Sequence, residues 1–276
     1  MKFHKFNSNP EKPILHLAHA NGFPPLTYRQ MVHPLLEFFQ VMAMPARPLW
    51  PGSNPRELKD WSLLSDDLLE ALQPLGRQKI IGVGHSLGGV LTLYAALKEP
   101  VRFSHLILID PTMLPPDLLR RIRWMKWLRW EARQDLVKGA LRRRRHWDNR
   151  EAAFESFKGK PLFRFWKDEV LRDYVESMTA PDSKGGVRLV YPPEWEARIY
   201  KTIPTDVWKL VKKLQLPTLV IRGENSDTFT AESEKTFKEL NPLVWFETVS
   251  GAGHLVPFEK PEETGRLILS FVRRQT

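Results

Sequence analysis

Short apolar runs of strand length alternate along this chain with stretches whose apolar residues recur every three or four positions. Residues 14–18 read as a buried strand between Pro13 and the turn signal Asn21-Gly22. Residues 28–39 carry Met31, Val32, Leu35, Leu36 and Phe39 at helical spacing, and 41–44 form a short strand before the proline-rich stretch 45–55. A helix is expected over 60–72, a strand over 79–83, a helix over 86–97 and a strand over 106–109. The rhythm resumes late, with strands at 218–221 and 244–249 and helices at 231–240 and 262–274. Strands alternating with helices imply a mainly parallel sheet covered on both faces, with its chemistry in the loops at the carboxyl ends of the strands.

Between the two halves of that pattern the composition changes. The 276 residues carry a net charge of +10, and residues 113–216 hold the whole excess, with 24 Lys and Arg against 14 Asp and Glu. The same segment holds seven of the ten tryptophans, the mark of a module with its own surface chemistry. The chain has no cysteine, which excludes disulfides, a thiol nucleophile and thiolate metal sites. No stretch approaches the length of a membrane span, and the first residues, MKFHKFNSNPEKP, lack the apolar core of a secretory signal. A soluble, cytoplasmic protein is expected.

The chemistry concentrates at Gly84-His85-Ser86-Leu87-Gly88, which follows the strand KIIGV and opens a helix. A nucleophile on so sharp a turn needs residues without bulk two positions before and after it, and Gly84 and Gly88 meet that demand. The helix amino terminus adds partial positive charge for a developing anion. Ser86 then needs a base, and His254, behind Gly251-Ala252-Gly253 at the end of the last strand, has the best address of the eight histidines. His85 neighbours the nucleophile but points away from it, to pack or line the pocket. His16 and His19 fall on opposite faces of a strand, and no metal motif emerges. For the acid that orients His254, Asp227 follows the strand TLVIRG one strand-crossover-strand unit away, with Asp110 and Glu224 as rivals. The oxyanion donors are expected to be the backbone N–H groups of Leu87 and of Phe23, with Asn21 the fallback in the loop His19-Ala20-Asn21-Gly22-Phe23-Pro24.

With NGFP, GHSLGG, RGENSD and GAGH in the order nucleophile, acid, base, the chain resembles the α/β-hydrolase superfamily, in particular its capped, serine-nucleophile, esterase- and lipase-like members. The resemblance covers residues 1–112 and 217–276. It implies an α/β-hydrolase fold, a mostly parallel twisted sheet flanked by helices, with a helical cap (113–216) inserted after the sixth strand. Asn21 stands where relatives often carry His. Epoxide hydrolases and haloalkane dehalogenases on this scaffold use Asp at the elbow, and Ser86 argues against both.

In the cap, residues 118–145 read as a helix interrupted near Gly139. Leu118, Ile122, Met125, Leu128 and Leu136 form an apolar stripe beside Trp124, Trp127 and Trp130, which alternate with Arg123, Lys126, Arg129 and Arg133 before Arg142–Arg145. A lid with solvated arginines competes with an interfacial helix against anionic membrane and with recognition of an acidic substrate. Nucleic acid is not expected, since no reader motif accompanies the charge. Aromatic residues of 154–174 and 191–200 are expected to line a pocket between cap and core.

Together these readings imply a serine hydrolase of carboxylic esters or related acyl compounds, acting through an acyl-enzyme without a cofactor. Ser86, His254 and Asp227 form its triad. The same three residues would serve a cofactor-free haloperoxidase or a carbon–carbon bond hydrolase. A binding protein on a hydrolase scaffold, recruiting membrane or an acidic partner through the cap, is the alternative of a different class.

Overall fold

In the computed structural model, which describes residues 3–127 and 134–275, the apolar runs become the strands of one sheet. In chain order these are β1 (His4–Lys5), β2 (Ile14–Ala18), β3 (Gln40–Ala43), β4 (Ile80–His85) and β5 (Phe103–Ile109). A long insertion then supplies β6 (His146–Trp147), β7 (Thr179–Pro181) and β8 (Val187–Leu189), before β9 (Thr218–Gly223) and β10 (Trp245–Val249) complete the sheet. Its spatial order is β1-β3-β2-β4-β5-β9-β10. β1 runs antiparallel to β3, and every other neighbouring pair is parallel. β2 and β4 are buried along their whole length, as unbroken apolar runs in a two-sided parallel sheet should be.

The chain departs from β2 toward β3 on one side and reaches β4 on the other, so the crevice at the carboxyl ends of β2 and β4 is the topological switch point of the sheet. The loop 19–24 and the turn at Ser86 both open there. Counted from β1, the strand that precedes the insertion is the fifth rather than the expected sixth. The helix expected over 28–39 is split: a short helix at Arg29–Val32 is flanked by 3-10 turns at Pro25–Tyr28 and His33–Leu35. Pro34 has no N–H to continue the ladder and crowds the preceding turn.

The insertion consists mainly of the helices Pro116–Trp127, Gln134–Leu141, Arg150–Lys158, Asp168–Met178 and Pro193–Lys201, with β6, β8 and β7 as a small antiparallel sheet. Its apolar stripe is rotated from the expected one: Leu119 and Ile122 are buried, whereas Leu118 and Leu136 are exposed. Leu128, Arg129, Trp130 and Arg133 lie outside the described residues. Trp147 and Trp195 are fully buried, and Trp195 donates to Ser53 Oγ at 2.9 Å. The apolar packing of Trp147, Phe154, Tyr174 and Trp195 is continuous with that of Val83 and Leu106 in the sheet. The two regions therefore share one core. Among the described residues no helix is long and apolar enough to cross a membrane.

Candidate active site

Ser86 stands between β4 and the helix Leu87–Lys98 with φ +55° and ψ −115°, a conformation that L-residues rarely adopt. The glycines around it are sterically required. A Cβ on Gly84 would lie 2.2 Å from the carbonyl oxygen of Gly88, and one on Gly88 would lie 2.0 Å from that of Ala18. The turn can close only because both lack side chains.

His254 Nε2 lies 2.9 Å from Ser86 Oγ, and His254 Nδ1 lies 2.7 Å from Asp110 Oδ1. A carboxylate accepts, so Nδ1 carries the proton and Nε2 presents its lone pair to the serine hydroxyl. Thr112 Oγ1, 3.1 Å from Ser86 Oγ, completes the hydroxyl's surroundings.

The carboxylate beside His254 differs from the one expected. Asp227 does not reach His254; its carboxylate accepts from Thr228 Oγ1 at 3.0 Å on an exposed part of the loop. Glu224 accepts from Ser250 Oγ and from the Gly251 amide. Asp110, the first of the two rivals in sequence, is fully buried directly beyond β5, at φ +40°. Its amide donates to Ile221 O at 2.7 Å, and its carboxylate also accepts from Ser226 Oγ (2.6 Å) and the Gly223 amide (2.9 Å). Asp227 lies four residues beyond the end of β9, where the loop has already turned to the surface.

A second chain of hydrogen bonds fixes the histidine loop from below. The Ala20 amide donates to Tyr28 Oη (2.9 Å), so the Tyr28 hydroxyl is free to donate to His85 Nδ1 (2.8 Å). His85 Nε2–H in turn donates to the His254 carbonyl (3.0 Å). A carbonyl can only accept, so Nε2 carries a proton, and in the neutral imidazole Nδ1 then accepts from the Tyr28 hydroxyl. Burial, then the neighbouring His254, hold the His85 imidazole well below the usual histidine range. His85 thus packs under the pocket, as its position at the turn suggested. His16 and His19 are spacers: each accepts a backbone amide at Nε2, from Met44 and Ala46 respectively. Among the described residues no group of three or more His, Asp or Glu is placed to hold a metal.

At the oxyanion position, Leu87 is the first residue of its helix, so its amide has no partner within the helix. The Phe23 amide, the other expected donor, instead closes a turn on the carbonyl of Ala20 at 3.2 Å, made feasible by Gly22 at φ +81°. The phenyl ring of Phe23 stacks on Phe258. The Gly22 amide is directed at the Tyr191 hydroxyl, and the Asn21 amide, the fallback, has no acceptor among the described residues. The Asn21 side chain joins the loop to the cap, donating to the Glu196 carbonyl (3.1 Å) and accepting from Tyr191 Oη (3.0 Å).

Ser86 and His254 open into a cavity of about 900 Å³ between core and cap. The expected aromatic lining is present in Phe157, Phe163, Phe165, Tyr174 and Tyr200. Arg143 reaches into it, donating through Nη1 to Glu196 Oε2 at 2.6 Å and through Nη2 to Tyr174 Oη. Sequence reasoning passed over Thr112, Ser226, Tyr28 and Arg143. The first two lie two residues after Asp110 and one before Asp227, so the strand ends already singled out were the available signal.

The pattern described as alpha/beta hydrolase fold matches residues 47–261. Among curated proteins, the chain is 24% identical over 282 residues to a protein of Haemophilus influenzae described as a putative esterase/lipase, covering 99% of this chain and 88% of that one. It is 19% identical to bifunctional epoxide hydrolase 2 of Rattus norvegicus over 95% of its own length, and spans only 52% of that protein. Among solved structures, E-2-(acetamidomethylene)succinate hydrolase superposes with a TM-score of 0.80 at 21% identity, covering 98% of this chain and 94% of that one. With the family pattern spanning most of its length, the sheet order and the serine turn accounted for, the chain belongs to the α/β-hydrolase fold family.

Proposed function

We propose that the protein is a serine hydrolase of carboxylic esters or related acyl compounds, working through Ser86, His254 and Asp110. The observation that carries this reading is the unbroken line from Ser86 Oγ through His254 to Asp110, at 2.9 and 2.7 Å. Ser86 Oγ attacks the acyl carbonyl while His254 Nε2 takes its proton. Asp110 stabilises the imidazolium that forms. The carbonyl electron pair moves to oxygen, where the Leu87 amide donates, with the Asn21 N–H as the second donor. Collapse of the tetrahedral intermediate expels the alcohol, which receives the proton from His254. Water then repeats the sequence on the acyl-enzyme and frees the acid and Ser86. No step calls for a cofactor. The relative described as an esterase/lipase supports the ester reading. The epoxide hydrolase relative does not transfer its named activity, since the elbow here carries Ser86. The aligned triad favours an enzyme over a binding protein built on the same scaffold.

A fluorophosphonate probe tests the assignment. It is expected to label the wild-type chain at Ser86, whereas Ser86→Ala loses both labelling and 4-nitrophenyl ester turnover while retaining cooperative unfolding. Full labelling of Ser86→Ala would remove this serine from the mechanism.

A further inference from the structure

The charges around the cavity are unevenly satisfied. Three cationic side chains line it, Arg143, Lys160 and Arg164. Arg143 is paired with Glu196. Lys160 and Arg164 have no carboxylate within ion-pair distance among the described residues. The Lys160 ammonium sits 4.7 Å from the centre of the Phe157 ring, and the Arg164 guanidinium 4.3 Å from that of Phe165. The other acids at the cavity are engaged: Glu259 accepts from the Gly253 amide at 2.6 Å and Asp227 from Thr228.

Lys160 also has positive neighbours. Burial, then Arg143 and Arg144, push its ammonium below the usual lysine range. Arg144 brings no carboxylate either, since its guanidinium donates to the His146 carbonyl. Two nearby cations that do not line the cavity do have carboxylate partners. Lys158 is paired with Asp168 at 2.7 Å and Lys167 with Glu262 at 3.4 Å. Lys160 and Arg164, lining the cavity without a carboxylate beside the paired Arg143, point to a ligand that brings its own negative charge into the cavity. Leu162 and Phe165, which also line the cavity, supply exposed apolar surface.

We infer that the substrate of the Ser86 site carries a second, anionic group, a carboxylate or phosphate remote from the scissile carbonyl, which binds Lys160 and Arg164 with an apolar spacer against Leu162 and Phe165. This rests on the hydrolase reading above and adds the substrate class to it.

The test compares mono-4-nitrophenyl adipate with its methyl ester, which differ only in the remote charge. The wild-type kcat/KM is expected to favour the anionic ester at least tenfold at low salt. Lys160→Gln lowers that ratio several-fold, mainly through KM, and Lys160→Arg preserves it. Lys158→Gln makes the same change of net charge outside the cavity and leaves the ratio unaltered. A wild-type ratio of one or below, or an equal fall in Lys158→Gln, overturns the inference. So does binding to phosphatidylcholine–phosphatidylglycerol vesicles that is lost in Lys160→Gln while the ester ratio holds, which would assign these cations to a membrane surface. Calorimetric titration of adipate and of inorganic phosphate into Ser86→Ala reads the site without turnover and shows which anion it prefers. Binding weakened by Lys160→Gln supports the site even if neither ester is hydrolysed, and absence of binding by both anions rejects it even if the hydrolase reading stands.

Discussion

The edge of the sheet and the cap above it handle buried polarity in opposite ways. At the sheet edge the Asp110 carboxylate has donors from a histidine, a hydroxyl and an amide, and each polar atom of the chain Ala20–Tyr28–His85–His254 has a partner. Among the described residues the cap buries the Arg143–Glu196 pair and leaves the indole N–H groups of Trp147 and Trp166 without a partner, as the core leaves the hydroxyls of Thr27 and Ser65. The cap also exposes Leu136, Leu141, Leu162 and Phe165. Fully satisfied networks fix one geometry, whereas partly satisfied ones leave room for a ligand to complete them. In the proposed hydrolase the sheet would set the chemistry and the cap would choose what reaches it.

Exchanging the acids breaks this contrast most directly. Asp110→Asn replaces the acceptor for His254 Nδ1–H and is expected to lower kcat on a 4-nitrophenyl ester by about 10⁴-fold. Asp227→Asn should change it by less than about twofold, as for a surface substitution. The reverse ranking would return the triad to the acid expected from sequence.

The next largest effect is on stability at low pH and belongs to the sheet. Burial lowers His16 to about 3 and His19 to about 4, and holds His85 well below its ordinary value. As pH falls below about 6.5 the unfolded chain binds these protons and the folded chain does not, so stability present above that pH is lost on the way to about pH 4. The three together approach a slope of about 4 kcal/mol per pH unit. Urea midpoints at pH 7.5, 6 and 5 measure it, and equal midpoints would show that these imidazoles do not resist protonation.

In the cap, Arg143→Met strands the Glu196 carboxyl and is expected to cost about 3 kcal/mol in urea unfolding, with Glu196→Gln in the same chain restoring most of it. If the single substitution were silent, the pair would contribute nothing to holding the cap together.

The sequence carried the parts of this site that sterics dictates. Ser86 is readable because no side chain fits at 84 or 88, and His254 because it follows a glycine-rich turn after the last strand. The acid was not readable, because Asp110 and Asp227 both follow strands. The outcome turns on how quickly each loop leaves the sheet, and Asp110 is kept at the edge by φ +40° and by its amide bond to Ile221. Phe23 failed as a donor because its amide closes a local turn, which spacing does not reveal. The basic cap was visible as composition, but which cations are neutralised depends on tertiary neighbours such as Asp168 and Glu262.

In the proposed hydrolase the clasp of Asn21 on Glu196 and Tyr191 would link admission to reactivity. Raising the helix Pro193–Lys201 to widen the doorway would pull away the Glu196 carbonyl that anchors the loop beside the serine. An unlatched molecule would therefore be a poor catalyst, and a water molecule arriving through the gap would find the anion's cradle already dismantled.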